Sequence, residues 1–262
     1  MLKRVRARVL MLLVAALPGA VLAQPAAPTG WTTELGVGAI VNPERQGGED
    51  YQVRPIPVFD VRYRDERGTL LFANVPRGVG GYVFRSGADP QRRINLALGI
   101  APGFAARDDE IDGLRDIGIA TEARAYLEWS RGPWGVDLTL AADLGTGHEG
   151  AYADLSFQRR GRIGRRGFWS LGPSVRIADS DYSDAQYGVS PREAGLSGLP
   201  QHDAGTGVEQ IGIGGVIRLP LGERWSVTTV GRVGRIVGDR ADSPLVEQKT
   251  QAFLLLAVTR PF

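Results

Sequence analysis

Strict alternation of apolar and polar residues is the feature that most limits how this chain can fold. Near the N-terminus, for example, Trp31, Leu35 and Val37 share one face, whereas Thr32 and Glu34 share the other. Successive side chains of a β-strand point to opposite faces, so this period of two predicts strands rather than helices. About twelve segments of the chain follow the pattern, with ten as the alternative count, and together they predict an all-β protein.

The connections between these segments indicate where the apolar faces lie. A strand with one apolar face packs either inside a soluble sandwich or barrel, or against lipid in a transmembrane barrel. Short links such as 64–68 and 130–134 alternate with long ones such as 102–118 and 179–206, and only 75–78 breaks the rule. Outer-membrane barrels have short periplasmic turns and long outer loops. We therefore predict a transmembrane antiparallel up-and-down β-barrel whose N- and C-termini are both periplasmic.

The first 23 residues have the three parts of a secretory signal peptide. A basic stretch that begins at Lys3 precedes the apolar run Val9–Leu17, and small residues end at Ala23. The run is too short to cross a bilayer as a helix, so we predict cleavage after about Ala23 and a mature barrel over 24–262. The predicted location is the outer membrane of a Gram-negative cell.

Net charge argues against a nucleic-acid partner once this export signal is removed. The whole chain carries a formal charge of +2 and a pI near 9.1, which alone would suggest an acidic ligand. The signal segment contains four basic residues and no acidic ones, so the mature chain is slightly acidic. We expect no nucleic acid among the partners.

Residues that commonly carry chemistry are scarce. The absence of cysteine excludes thiol nucleophiles, disulfides and zinc–thiolate sites. The only histidines, His148 and His202, fall in predicted outer loops without a serine-nucleophile motif, and we interpret both as exposed loop residues. The acidic group Asp179, Asp181 and Asp184 lacks regular calcium-ligand spacing and is interpreted as a solvated loop. We predict no enzymatic activity, no cofactor and no metal.

The last segment and one arginine-rich turn are the candidate interaction sites. Leu254, Leu256 and Val258 alternate up to a terminal Phe262, which resembles the signal read by the barrel assembly machinery. At a predicted periplasmic turn, arginines cluster within nine residues and could meet lipid phosphates, murein or an acidic protein, or could simply be solvated. These partner-binding candidates are Arg159, Arg160, Arg162, Arg165 and Arg166.

The predicted lumen is lined by charges of both signs, which can pair across strands. One interpretation is an interior closed by ion pairs, and the other is a narrow polar channel. The charged residues on the polar faces are Glu34, Arg54, Asp60, Arg62, Glu122, Arg124, Asp137, Asp154, Arg176, Arg218 and Arg232. All five tryptophans lie near strand ends, as expected of aromatic residues at a membrane interface.

Three loop stretches are similar to the MltA-interacting protein (MipA)/OmpV family of outer-membrane proteins. The first runs through 113–118, the second through 187–207 and the third through 238–246. It is their order and spacing together that carry the resemblance, and His202 departs from it because the family often has an aromatic residue there. The residues that match are Asp116, Tyr187, Gly188, Ser190, Gly198, Asp239, Ser243 and Pro244.

The resemblance implies an outer-membrane barrel that acts as a scaffold between murein (peptidoglycan) enzymes. The expected partners are a murein lytic transglycosylase and a murein synthase, besides outer-membrane lipid, lipopolysaccharide and the barrel assembly machinery. The resemblance supplies no catalytic residues, and we expect a monomer. Two alternatives remain open, which are a small-solute pore or transporter and a surface adhesin.

Overall fold

The computed structural model describes residues 29–86, 92–107, 111–145 and 147–262. Within them the chain forms a closed barrel in which every strand is antiparallel to both of its neighbours. The all-β prediction and the count of twelve strands are confirmed. The predicted signal peptide, residues 1–23, lies outside the described residues.

The strands follow one another around the barrel in chain order, and β1 closes the circle by pairing with β12. Their bounds are β1 Gly30–Pro43, β2 Tyr51–Asp65, β3 Gly68–Asn74, β4 Gly78–Arg85, β5 Arg92–Arg107, β6 Ile117–Arg131, β7 Trp134–Asp143, β8 Ala151–Ile163, β9 Gly167–Ala178, β10 Gly207–Leu221, β11 Trp225–Ile236 and β12 Thr250–Pro261.

The apolar faces of the strands point outward, as the alternation predicts for a barrel in lipid. Val37 is 71% exposed and Ile119 is 63% exposed, although both are aliphatic and belong to strands. A soluble protein would bury such side chains. Their polar neighbours, such as Glu34 and Glu122, face the lumen instead. The barrel therefore has the inside-out polarity of an outer-membrane type.

The two ends of the barrel differ in the length of their links. At one end, which we name the turn end, hairpins such as 132–133 and 222–224 join the strands. At the other, the loop end, the links include 179–206 and 237–249, and the short link 75–77 is the exception there. β1 begins and β12 finishes at the turn end, so both ends of the described barrel are on the same side.

The longest link carries the two α-helices, α1 Ser180–Tyr187 and α2 Pro191–Ser197. Asp179 caps α1 by accepting a hydrogen bond from the Tyr182 N–H at 2.9 Å. Ser190 and Glu193 form a capping box at the start of α2, and Gly198 ends it with a φ of 74°, a conformation that glycine adopts without strain. In the part of the chain that the structure describes, neither helix is long and apolar enough to cross a membrane.

Ion pairs join strands on the lumenal face, as the charge pattern predicts. Arg218 on β10 donates to Glu34 on β1 at 2.8 Å, and Arg176 on β9 makes a two-pronged contact with Asp154 on β8 at 2.7 and 2.8 Å. Arg218 and Glu34 are 184 positions apart and reach past β11 and β12, whereas Arg176 and Asp154 face each other on neighbouring strands. Both pairs neutralise charge inside the barrel.

One side of the lumen, beside β3 to β6, is filled by aromatic rings around an arginine. The guanidinium of Arg77, from the short link 75–77, lies 4.6 Å from the Phe72 ring centroid and 4.3 Å from that of Tyr126. It also donates to Glu128 at 2.7 Å. Cation–π contacts strengthen when the cation is desolvated, so these rings stabilise Arg77 inside the barrel. The short link therefore fills part of the lumen.

Candidate functional site

Helix α1 lies inside the mouth of the barrel at the loop end. The Tyr182 hydroxyl accepts from Arg176 of β9 at 2.9 Å, and its ring packs edge-on against His148 with centroids 4.8 Å apart. One turn further along the helix, Ala185 packs against Ile117 at the start of β6. The helix therefore contacts β6 as well as β9. We name residues 179–206 and 237–249 together the loop cap.

Tyr187 joins the two segments of the loop cap to the barrel wall. Its side chain is fully buried and its hydroxyl donates to Glu209 at 2.9 Å, while its carbonyl accepts from the Ser243 hydroxyl at 2.6 Å. Desolvation by burial raises the pKa of the Tyr182 and Tyr187 hydroxyls. Both side chains therefore remain neutral hydrogen-bonding groups at neutral pH.

Arg240 holds the same two segments together from the 3₁₀ turn Gly238–Asp242. Only 2% of the residue is exposed. Its guanidinium donates to the Ser183 hydroxyl at 2.9 and 3.0 Å, to the Gly205 carbonyl at 2.6 Å and to the Val208 carbonyl at 3.3 Å. A buried cation surrounded by such acceptors is costly to disrupt, because each acceptor would lose its donor.

The link between β5 and β6 also docks on the loop cap. The Arg115 N–H donates to Glu193 of α2 at 3.1 Å. Gly113, with a φ of 89°, approaches so closely that a Cβ atom there would lie 2.7 Å from the Ser197 nitrogen. Glycine is required because no side chain fits at this contact.

The three loop stretches that carry the family resemblance therefore meet in one assembly. Gly188 and Gly198 end α1 and α2, Ser190 caps α2, and Ser243 is buried against Tyr187. Their exposed or half-buried companions lie at the margin of this assembly and are Asp116, Asp239 and Pro244.

The structure divides the arginine cluster at the turn end into three groups. Arg160 points into the lumen and pairs with Asp137. Arg159 points outward, with its Cζ 5.7 Å from the Trp134 ring centroid. The remaining three are exposed at the tip of the β8–β9 hairpin, and we name them the arginine tip, Arg162, Arg165 and Arg166.

Within the tip, Arg166 links two neighbouring hairpins. It donates to the Gly222 carbonyl at 2.7 Å and to the Glu223 carbonyl at 2.8 Å, both in the β10–β11 turn. Arg162 donates to the Arg165 carbonyl within its own turn. Two of the three guanidiniums are thereby anchored to turn carbonyls, and all three arginines are exposed.

Aromatic residues concentrate at the same end. All five tryptophans lie at the turn-end limits of their strands, as Trp31, Trp129, Trp134, Trp169 and Trp225. Phe262 is 73% exposed and its N–H donates to the Thr33 carbonyl at 2.8 Å, which extends the pairing of β12 with β1. Its use as an assembly signal stays a prediction.

The family model for the MltA-interacting protein MipA matches residues 35–262, which contain both the loop cap and the arginine tip. This chain belongs to the MipA family. No curated protein matches it. The crystal structure of Pseudomonas aeruginosa OccK8 (OprE) is similar over 89% of this chain and 98% of that chain, at 8% identity and a TM-score of 0.32. A TM-score this low supports no structural argument, so the fold is assigned from the strand pairing within this chain.

His148 in this MipA-family barrel is not the exposed loop residue that we predicted. Its side chain is 2% exposed, because the ring packs against Tyr182 of α1. The ring Nδ1 accepts from the Gly150 N–H at 3.1 Å, so Nε2 carries the proton and donates to Glu122 at 3.3 Å. Both ring nitrogens are engaged, which leaves no free base for a nucleophile. His202 is half-buried and pairs through its backbone with Val189.

The acidic group at the start of the loop cap is also not a solvated loop. Asp179 accepts from the N–H groups of Tyr182 and Ala151, the latter at 2.8 Å, and Asp184 accepts from the Ala204 N–H at 2.7 Å. Only Asp181 is exposed. Among the described residues, no group of histidines and carboxylates is arranged to hold a metal ion.

Proposed function

We propose that this chain is an outer-membrane scaffold that binds a murein lytic transglycosylase at its turn end and has no catalytic role of its own. The observation that carries the proposal is the family match over residues 35–262, since the family is described as MltA-interacting. By the same resemblance, a murein synthase is the second enzyme that the scaffold would bring to the site.

The proposal places the turn end in the periplasm, where murein and its enzymes are. Short hairpins at this end and long links at the other agree with that orientation. The tryptophans at the turn-end limits of the strands would then anchor the barrel at the periplasmic interface of the bilayer.

The arginine tip is the surface at this end that best fits an acidic protein partner. Arg162, Arg165 and Arg166 are exposed on one hairpin, and Glu223 is the exposed carboxylate of the neighbouring turn. Clustered exposed charges act mainly by steering the encounter and by setting its salt dependence, and each contributes modestly to affinity. The tip would therefore select and orient the enzyme rather than supply all of the binding energy.

The test is a binding measurement between the purified barrel in detergent and a purified MltA-type lytic transglycosylase. We expect saturable binding that weakens as salt is added, and the triple variant R162Q/R165Q/R166Q should lower the affinity by about tenfold. The matched control is R92Q/R131Q/R159Q, which removes the same charge from the same end but from the outward wall of the barrel. This control should bind the enzyme as the unmodified barrel does.

Two results would contradict the proposal in different ways. If the unmodified barrel fails to bind the transglycosylase, the scaffold role is wrong. If the enzyme binds but both triple variants weaken it equally, the arginine tip is not the binding surface and only the overall charge of the turn end matters.

A further inference from the structure

A row of outward-facing cations crosses four adjacent strands at the turn end. In the strand register Arg92 of β5 pairs with Arg131 of β6, Arg131 pairs with Trp134 of β7, and Trp134 pairs with Arg159 of β8. All four side chains are exposed. We name Arg92, Arg131 and Arg159 the outward arginine row.

The next row of outward side chains, closer to the middle of the barrel wall, is entirely apolar. Its members are Ile94, Trp129, Val136 and Phe157, which also face one another in register. The Trp134 ring stacks on Phe157 with centroids 5.2 Å apart and an interplanar angle of 11°. Cationic groups thus lie directly above an aromatic and aliphatic wall.

Part of the two rows lines a shallow groove of about 830 Å³, and Arg159 lies just beyond this lining, against Trp134. Its lining includes Arg92, Trp129, Arg131, Trp134 and Phe157. The groove opens toward the apolar wall on one side and toward the hairpin turns on the other. The side chains that line the groove therefore change from apolar to cationic within two residues along each strand.

The charge of the outward arginine row is not neutralised by the protein that the structure describes. None of the three arginines makes an ion pair with a described residue. The nearest carboxylates on these strands, Glu128 and Asp137, point into the lumen and are held there by Arg77 and Arg160. The row therefore leaves exposed guanidinium groups with which an external anion could pair.

We propose that this groove binds the phosphate of an anionic glycerophospholipid, with the acyl chains against the apolar row below. Guanidinium groups bind phosphate oxygens in pairs, and tryptophan suits the level of the headgroups because its ring is apolar and its N–H is polar. A lipid is a better occupant than a free phosphate because the groove continues into the apolar wall. Basic pockets on membrane proteins recognise anionic headgroups in this way.

The site is local to one side of the barrel. At the β10–β11 hairpin the corresponding outward pair is Leu221 and Trp225, and at the β2–β3 hairpin Tyr63 pairs with Leu71. Beside them β12 carries a single arginine, Arg260, which lies over the Phe262 ring, so these positions offer no row of guanidiniums. A general attraction of lipid to the barrel would not distinguish the sides, whereas the outward arginine row does.

The test is native mass spectrometry of the full-length barrel released from micelles that contain equal amounts of phosphatidylglycerol and phosphatidylcholine. The unmodified barrel should retain phosphatidylglycerol in preference. The variant R92Q/R131Q/R159Q should lose that preference, by about fivefold for each arginine removed. The arginine-tip variant R162Q/R165Q/R166Q should keep it, although it carries the same net charge change.

Three outcomes would overturn the proposal. They are an undiminished preference in the outward-row variant, an equal loss in the arginine-tip variant, and displacement of the lipid by excess inorganic phosphate, which would indicate a general anion site. The proposal goes beyond the scaffold role and does not depend on it. The two variants are expected to show opposite results in the lipid and transglycosylase experiments, so failure of one idea leaves the other testable.

Discussion

The two ends of this barrel carry opposite charge and use it differently. Among the described residues at the loop end, the exposed charged residues are mainly acidic, namely Glu44, Glu49, Asp50, Asp112, Asp116, Glu149, Asp181, Asp203, Asp239, Asp242 and Glu247, with Arg54, Arg115, Arg192 and Arg235 as the exposed cations. At the turn end they are mainly basic, namely Arg67, Arg92, Arg93, Arg131, Arg159, Arg162, Arg165, Arg166 and Arg224, with Glu66 and Glu223 as the exposed carboxylates. Although the positive and negative charges of the chain nearly balance, they are separated along the barrel axis, with mainly acidic residues at one end and mainly basic residues at the other.

The ends also differ in where their polar groups find partners. In the loop cap, Arg240 and Tyr187 are buried, and they bond to the Gly205 carbonyl and to Glu209 of β10. At the turn end the arginine tip is exposed and its bonds go to turn carbonyls. Removing a buried partner costs several times more than removing an exposed one. Substitutions should therefore change the structure at the loop end and binding at the turn end.

The largest expected effect comes from removing the segment that occupies the mouth of the barrel. Replacing residues 180–205 with a short Gly-Ser linker removes α1 and its contacts to β6, β9 and β10. We expect the shortened barrel to give discrete conductance steps in a planar bilayer, because polar lumen walls would be opened to water. The intact barrel and the R162Q/R165Q/R166Q variant should be silent. Equal conductance in the intact barrel would instead favour a small-solute pore.

A smaller but local effect is expected from Arg240→Ala. The change leaves the Ser183 hydroxyl and the Gly205 carbonyl without their buried donor, which should destabilise the loop cap by about 3 kcal/mol. Limited proteolysis in micelles should then cut within residues 179–206 while the barrel strands stay intact. The exposed neighbour Arg235→Ala is the control. Unchanged protection of the loop cap in Arg240→Ala would show that other contacts hold it.

The smallest effect is expected at the turn end, from Arg166→Gln. The arginine is exposed and bridges two hairpins through the Gly222 and Glu223 carbonyls, so its loss should cost less than about 1 kcal/mol. Hydrogen exchange should speed up at residues 222–224 without a change in global unfolding. Arg165→Gln, which removes an adjacent exposed arginine, should leave these amides unchanged. A global loss of stability would contradict the contrast between the ends.

The barrel could be predicted from the sequence because its determinants are local. Alternation sets which side of each strand faces lipid, and link lengths set the order of the hairpins, so pairs such as Glu34 with Arg218 follow once the sheet closes. The same alternation separates Arg159 from Arg160, since adjacent residues of a strand face opposite sides. That signal was present in the sequence and distinguishes a lipid-facing arginine from a lumenal one.

The loop cap could not be predicted in the same way, because its contacts join segments far apart in the chain. His148 is buried only because α1, more than thirty residues later, covers it. Arg240 meets Ser183 across 57 positions. No periodicity relates such residues, and short polar loops favour solvent unless a specific partner is present. The resemblance located the right stretches without showing that they meet.

The shortest strands have a consequence for the membrane itself. β3 has seven residues and β4 has eight, whereas β2 and β5 beside them have 15 and 16. At about 3.3 Å per residue and a tilt near 40°, seven residues rise roughly 18 Å, less than the apolar band of about 25 Å that surrounds such barrels. A bilayer adapts to a short hydrophobic wall by thinning. Lipid around this barrel should therefore form a depression beside β3 and β4, and the barrel should tilt toward it.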